Sequence, residues 1–131
     1  MREIKFRGKS VETGEWVYGS LVQEAGKSWI VGGISIEDAG GVFDFYATEW
    51  YEVIPETVGQ YTSLKDMDRE EIFEGAIGWD ERGEVHGKVV FDEGGFLFEW
   101  ENMSDDLFEC CGDLVIVGNI YDNPELLEVA K

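Results

Sequence analysis

The chain has 131 residues and a mass of 14.8 kDa, enough for one domain or two very small ones with a core that needs no disulfide staples. Hydrophobic residues at 44% and aromatics at 14% exclude disorder, and 17 glycines against two prolines imply many tight turns. The formal charge of -19, from 29 acids and 10 bases, argues against a non-specific nucleic-acid binder and against docking on anionic membranes, since both rely on Lys and Arg.

The first nine residues carry Arg2, Lys5, Arg7 and Lys9 against Glu3, a local +3 that leaves -22 on the remaining 122. No apolar run follows, so this is not a secretory signal. No segment approaches the roughly 20 apolar residues of a spanning helix; the longest apolar run is Leu114-Val-Ile-Val117. A cytoplasmic location is therefore expected, in which the adjacent Cys110 and Cys111 stay reduced thiols. The basic segment either pairs with the acidic body or a neighbouring copy, or simply carries ordinary surface charges, the blander and favoured reading.

Period-two alternation dominates the chain. Ile4 and Phe6 alternate with Glu3, Lys5 and Arg7, a half-buried strand, and a loop at 10–14 leads into a second strand over 16–22. Trp29-Ile-Val31 and Ile34-Ser-Ile36 flank Gly32-Gly33, which predicts a bent strand or a turn. Gly40-Gly41 separates these from a strand at 42–46, and another strand at 50–54 stops at Pro55. Residues 55–70 are polar and turn-like. They divide an N-terminal β unit, 1–56, from a C-terminal unit, 57–131, or mark a seam within one compact domain. One or two helical turns are expected over 64–74, from the spacing of Leu64, Met67, Glu71 and Ile72. Next come a glycine-bent strand over 72–79, a strand with Val85, Gly87, Val89 and Phe91 on one face, the four-residue loop 92–95, and a strand with Phe96, Phe98 and Trp100 on one face. Residues 114–121 are apolar on both faces and predict a central strand. Asn123 and Pro124 then suit the cap and first position of a helix over 124–129, anchored by Leu126, Leu127 and Val129. Short strands between Gly-rich turns point to a barrel or sandwich.

Catalytic and metal patterns are sparse. His86 is the one histidine and sits in a strand, where a packing or surface role outweighs general-base work. Cys110-Cys111 with a distant His is neither zinc spacing nor a nucleophile–base pair. Asp66-Met-Asp68 suggests a calcium loop, but its sixth place is Glu71 and its twelfth Ile77, where Gly and Glu are needed. No Walker loop or Gly-x-Gly-x-x-Gly follows a strand. With so many acids, pairs such as Glu81/Glu84 and Asp105/Asp106 arise by chance. The five Trp and five Tyr would suit a sugar-binding or base-stacking platform, yet their alternating placement favours core packing.

Three segments together resemble a known family. They are Phe6-Arg-Gly-Lys9 with Trp16-Val-Tyr-Gly19; Thr57-Val-Gly-Gln-Tyr-Thr62 leading to Glu71-Ile-Phe-Glu-Gly75; and Val117-Gly-Asn-Ile-Tyr-Asp-Asn-Pro-Glu-Leu-Leu127. On these motifs the chain is similar to the YopX family of small phage and prophage proteins. It departs from the pattern at Ala76, where the family usually has Asp, and at Ser63 and Asp68-Arg69, where the family often has Gly and an Asn-Gly turn. The resemblance implies a mostly β protein from a mobile element of a Gram-positive bacterium or its phage, and supplies no activity. The Glu-Gly-x-Ile step, a bent hairpin and a final strand read like a small SH3-like barrel in the C-terminal half. The motif residues Thr57, Gly59, Gln60, Tyr61, Thr62, Glu74, Gly75, Gly118, Asn119 and Tyr121 take unknown or structural roles, with 57–62 expected at the junction of the halves, where Gln and Thr side chains satisfy open backbone groups.

The leading expectation is a non-enzymatic accessory protein acting by protein association, as a homo-oligomer or on a phage or host protein. It needs no cofactor, metal or membrane and binds no nucleic acid directly. Two alternatives stand beside it: an acidic DNA mimic that fills the basic cleft of a DNA-binding protein, and an enzyme with an unrecognised carboxylate site.

Overall fold

The computed structural model describes residues 4–39 and 42–128, with backbone alone for 34–39 and 42–48. Arg2, Glu3, the Gly40-Gly41 separator and Val129 lie outside the described residues. Among the described residues strands far outnumber the few short helical turns, so the protein is mostly β, built on antiparallel sheets. It divides into two compact units, one of Ile4–Gln60 and one whose described part is 61–128.

The first unit holds β1 (Phe6–Lys9), β2 (Trp16–Glu24), β3 (Lys27–Ala39) and β4 (Val42–Val53), with the opening residues of β5 (Gly59–Lys65). Each strand pairs antiparallel with its spatial neighbour in the order β4-β3-β2-β1-β5. The two strands expected at 42–46 and 50–54 are one continuous β4, zipped to β3 from Ser28↔Val53 to Ala39↔Val42. Gly32-Gly33 does not end β3; Gly33, at φ +60, lets the strand bend and continue. The β2–β3 turn is Ala25-Gly26, both at positive φ (53 and 78), the primed geometry whose twist matches that of the flanking strands. One face of the sheet is tightly packed: Ile30 and Val53 are fully buried, and a side chain at Gly8 would meet Val53 Cβ at 3.0 Å. Pro55 ends the β4 segment, and the one-turn 3-10 helix Pro55–Thr57 follows. The Thr57 hydroxyl donates to Ile54 O (2.6 Å) and accepts from Lys9 N (2.9 Å), sealing the end of β1.

The second unit contains the rest of β5, then β6 (Glu71–Phe73), β7 (Ala76–Asp80), β8 (Val85–Asp92), β9 (Gly95–Trp100), β10 (Met103–Asp106), α1 (Leu107–Cys110) and β11 (Leu114–Asn119). Its main sheet has the order β10-β9-β8-β7-β11. Among the described residues this sheet is open, with β10 and β11 as its edges, so the SH3-like barrel is not closed. One face carries the core of Ile72, Ala76, Val89, Phe98, Leu107 and Leu114. Gly87 is what allows this packing: a Cβ there would lie 2.5 Å from Phe98 Cζ and 2.8 Å from Glu99 O.

Several local expectations change here. Residues 64–74 form no helix; β5 and β6 are joined by a tight turn in which Asp66 N donates to Glu70 O and Arg69 sits at φ +67. The 72–79 segment is not one strand but two, broken at Gly75 (φ +89), whose N–H donates to Val89 O and whose carbonyl accepts from Ile120 N. The 92–95 loop tightens to the two residues Glu93-Gly94 at φ 48 and 84. β11 is an edge strand rather than a central one. Its outer edge is covered by the Asp66 turn: Met67 N donates to Leu114 O, and Ile116 N to Asp66 Oδ2. A short helix does start at Pro124, but it is one 3-10 turn, Pro124–Leu127. Asn123 does not cap it; its Oδ1 accepts from Asn119 N instead. The helix α1 and strand β10 were not foreseen. Asp106 caps α1 by accepting from Phe108 N at 2.9 Å, and the single buried residue of that turn, Leu107, enters the core.

Candidate binding face

Side chains alternate across a strand, and directly opposed antiparallel residues share a face. The registers Lys9↔Trp16, Arg7↔Tyr18, Ser20↔Val31, Val22↔Trp29, Val31↔Trp50 and Trp29↔Glu52 therefore place Arg7, Lys9, Trp16, Tyr18, Trp29 and Trp50 on one face of the first unit. This face is opposite the one that buries Ile30 and Val53. Tyr18 and Trp50 are 53% and 52% exposed, so these rings are surface rather than the core that alternation suggested. The Arg7 guanidinium lies 4.6 Å from the Trp16 ring centroid and the Lys9 ammonium 5.8 Å, both within cation–π range. Trp29 and Trp50 meet edge to face at 6.3 Å. Glu52, on the same face, is 4.0 Å from Lys27. The sheet curls so that the end of β1 meets the end of β4, where Val11 N donates to Glu52 O, Ile54 N donates to Lys9 O and Ser10 bridges Val53. The spacing of Arg7 with Lys9 and of Trp16 with Tyr18 was visible in the sequence; that they stand opposite each other is set by the β1–β2 register.

The motif residues occupy backbone junctions. Gly59 and Gln60 pair with Arg7 and Phe6 of β1, while Tyr61 packs on Phe73 with ring centroids 5.4 Å apart. The Thr62 hydroxyl donates to Ile72 O (2.8 Å) and accepts from Leu64 N (3.2 Å). Gly75, Gly118, Asn119 and Tyr121 come together. A Cβ on Gly75 would lie 3.3 Å from the Tyr121 ring, and one on Gly118 would collide with the Asn123 amide. Asn119 is buried; its Oδ1 accepts from Tyr121 N and Asp122 N, and its Nδ2 donates to Asp122 Oδ2. Glu74 is half-buried beside this knot. Ala76 is 1% exposed in the core, so a carboxylate there would be driven into apolar surroundings.

The other candidates disperse. His86 packs edge-on against Trp79, ring centroids 4.8 Å apart. Cys110 and Cys111 are free thiols leaning on the core. Burial, helped by Asp105 and Asp80, pushes the Cys110 thiol up to about 12, which disarms it as a nucleophile. Asp66 holds a turn together: its carboxylate accepts from the amides of Asp68, Glu70 and Ile116. Sequence reasoning missed this role, although a short Asp-x-Asp turn signal was present. Among the described residues no three His, Cys, Asp or Glu side chains are grouped to hold a metal ion, and no helix is long and apolar enough to cross a membrane.

Comparison with known proteins adds the following. The family described as YopX protein matches residues 5–128. The crystal structure of protein EF1440 from Enterococcus faecalis is similar in fold, with a TM-score of 0.71 at 22% identity, covering 98% of this chain and all of that one. No curated protein matches.

Proposed function

The chain belongs to the YopX family, and we propose that it is a non-enzymatic accessory protein that works by association, in the phage or prophage setting its motifs imply. The observation that carries this reading is the aromatic strip of the first unit. Tyr and Trp standing half out of water on a sheet are the residues that dominate protein contacts, because they bury large areas at little conformational cost. The proposed occupant is a second copy of the same face. An isologous contact would pack the exposed Tyr18 and Trp50 rings of one copy against those of the other. The neutral Cys110 thiol and the ring contact of His86 give no nucleophile–base pair, which supports a role without catalysis.

Sedimentation velocity tests the reading. The expected result is a dimer that Trp50→Ser weakens about tenfold, as loss of an interface anchor does. Trp50 and Tyr18 stand about half out of water and Trp50 also meets Trp29, so Trp50→Ser and Tyr18→Ser should lower thermal melting only modestly and leave the fold intact. A chain that stays monomeric up to about 100 µM, well above the range of specific association, would overturn it.

A further inference from the structure

The second unit contains a cleft of about 490 Å³, within the range of small-ligand sites, roughly 300–1,000 Å³. It lies on the sheet face opposite the Val89–Phe98 core: Trp79 and His86 stand directly opposite each other there, as do Lys88 and Glu99. Trp79 and His86 meet edge to face at 4.8 Å, and Leu126 and Leu127 of the last 3-10 turn supply apolar surface. The register brings Glu84, just before β8, and Glu101, just after β9, to the same end of the sheet. Glu128 joins them from the last turn. Lys88 is engaged by Glu99 at 3.6 Å, and among the described residues no cation pairs with Glu84, Glu101 or Glu128. Four glutamates against one lysine leave three carboxylates in excess around aromatic rings whose faces also attract positive charge.

We propose that this cleft binds an organic cation: an alkyl ammonium or guanidinium whose chain lies on Leu126, Leu127 and the Trp79 indole while its charges meet Glu84, Glu101 and Glu128. A bare metal ion fits less well, because it needs ligands grouped at one point and none are so grouped among the described residues. The cation has two sources, a free polyamine or the side chains of a basic peptide. The site lies in the second unit and stands independently of the association proposed for the first.

The experiment titrates the full chain with spermidine and, separately, with a blocked Arg-Lys-Arg peptide. Binding is followed by tryptophan fluorescence and by NMR shifts of the Trp79 indole N–H and the His86 ring. An uncharged diol of matching length serves as control. Saturable shifts at these two rings are expected with the cations and not with the diol. Tighter binding of spermidine assigns the free polyamine; tighter binding of the peptide assigns a basic segment. The triple variant Glu84→Gln, Glu101→Gln, Glu128→Gln removes three exposed charges and should weaken binding about tenfold, two- to threefold per charge, with unchanged melting. Trp50→Ser should leave binding intact. No shift up to millimolar cation, equal binding of the diol, or an unaffected triple variant would each overturn the proposal.

Discussion

Asp66→Ala should be among the most damaging single changes in the second unit. The residue is 5% exposed, and its carboxylate accepts from Asp68 N (2.9 Å), Glu70 N (2.8 Å) and Ile116 N (2.9 Å). The first two bonds shape the turn between β5 and β6; the third ties that turn to the outer edge of β11, beside the backbone bond from Met67 N to Leu114 O. A hydrogen bond to a charged group contributes about 1.5–3 kcal/mol. The turn amides can rotate towards water after the loss, whereas the Ile116 amide stays against the strand. A net cost of about 3–5 kcal/mol follows, a large part of the roughly 7–20 kcal/mol expected for a chain of this size. Asp66→Asn keeps one carbonyl oxygen for the turn but presents an NH2 group to Ile116 N, donor against donor, and should cost about 1–3 kcal/mol. Urea unfolding of both variants, with amide exchange at Ile116, measures this. The expected order of stability is wild type, Asn, then Ala, with Ile116 exchange accelerated in both variants. A loss below about 1 kcal/mol for Asp66→Ala, or unchanged exchange at Ile116, would refute the idea that this carboxylate holds the turn on the strand.

Other outcomes follow from the same coordinates. Gly87→Ala places a Cβ 2.5 Å from Phe98 Cζ and 2.8 Å from Glu99 O, and should cost about 1–3 kcal/mol by overpacking; unchanged melting would mean that β8 and the ring can part without strain. Asn119→Ala deletes the acceptor for Tyr121 N and Asp122 N and the donor to Asp122, and should cost about 2 kcal/mol, visible as a lower thermal midpoint. Cys110, with its thiol pushed up to about 12 from 9.0, should react with iodoacetamide at pH 8 on the order of a thousandfold more slowly than an ordinary thiol, in proportion to its thiolate fraction. Because its pKa is raised in the folded state, the neutral thiol's contribution is fully present below pH 9 and is lost as the pH rises towards 12. Cys110→Ser should flatten that alkaline decline, and rapid labelling of Cys110 in the native state would contradict its burial.

The chain's mostly β character was legible in its sequence, because a period of two is a local signal: Phe96, Phe98 and Trp100 declare a face whatever surrounds them. So was the stop at Pro55, which depends on a missing N–H, and the presence of a hairpin connection within 92–95, though not its two-residue length. Which strand lies at an edge was not legible. Leu114–Asn119 reads as doubly covered, yet it pairs with β7 alone in the sheet, and its other edge is met by a turn some fifty residues earlier in the chain. Apolar composition cannot distinguish cover by a strand from cover by a loop. The exposed aromatic face was hidden for the same reason. Trp16, Tyr18, Trp29 and Trp50 each alternate as core residues do, and only the registers among β1, β2, β3 and β4 put them on one side, away from Ile30 and Val53. Alternation says that a strand has two faces; which of them meets a core is a long-range matter, settled by packing between segments far apart in the chain.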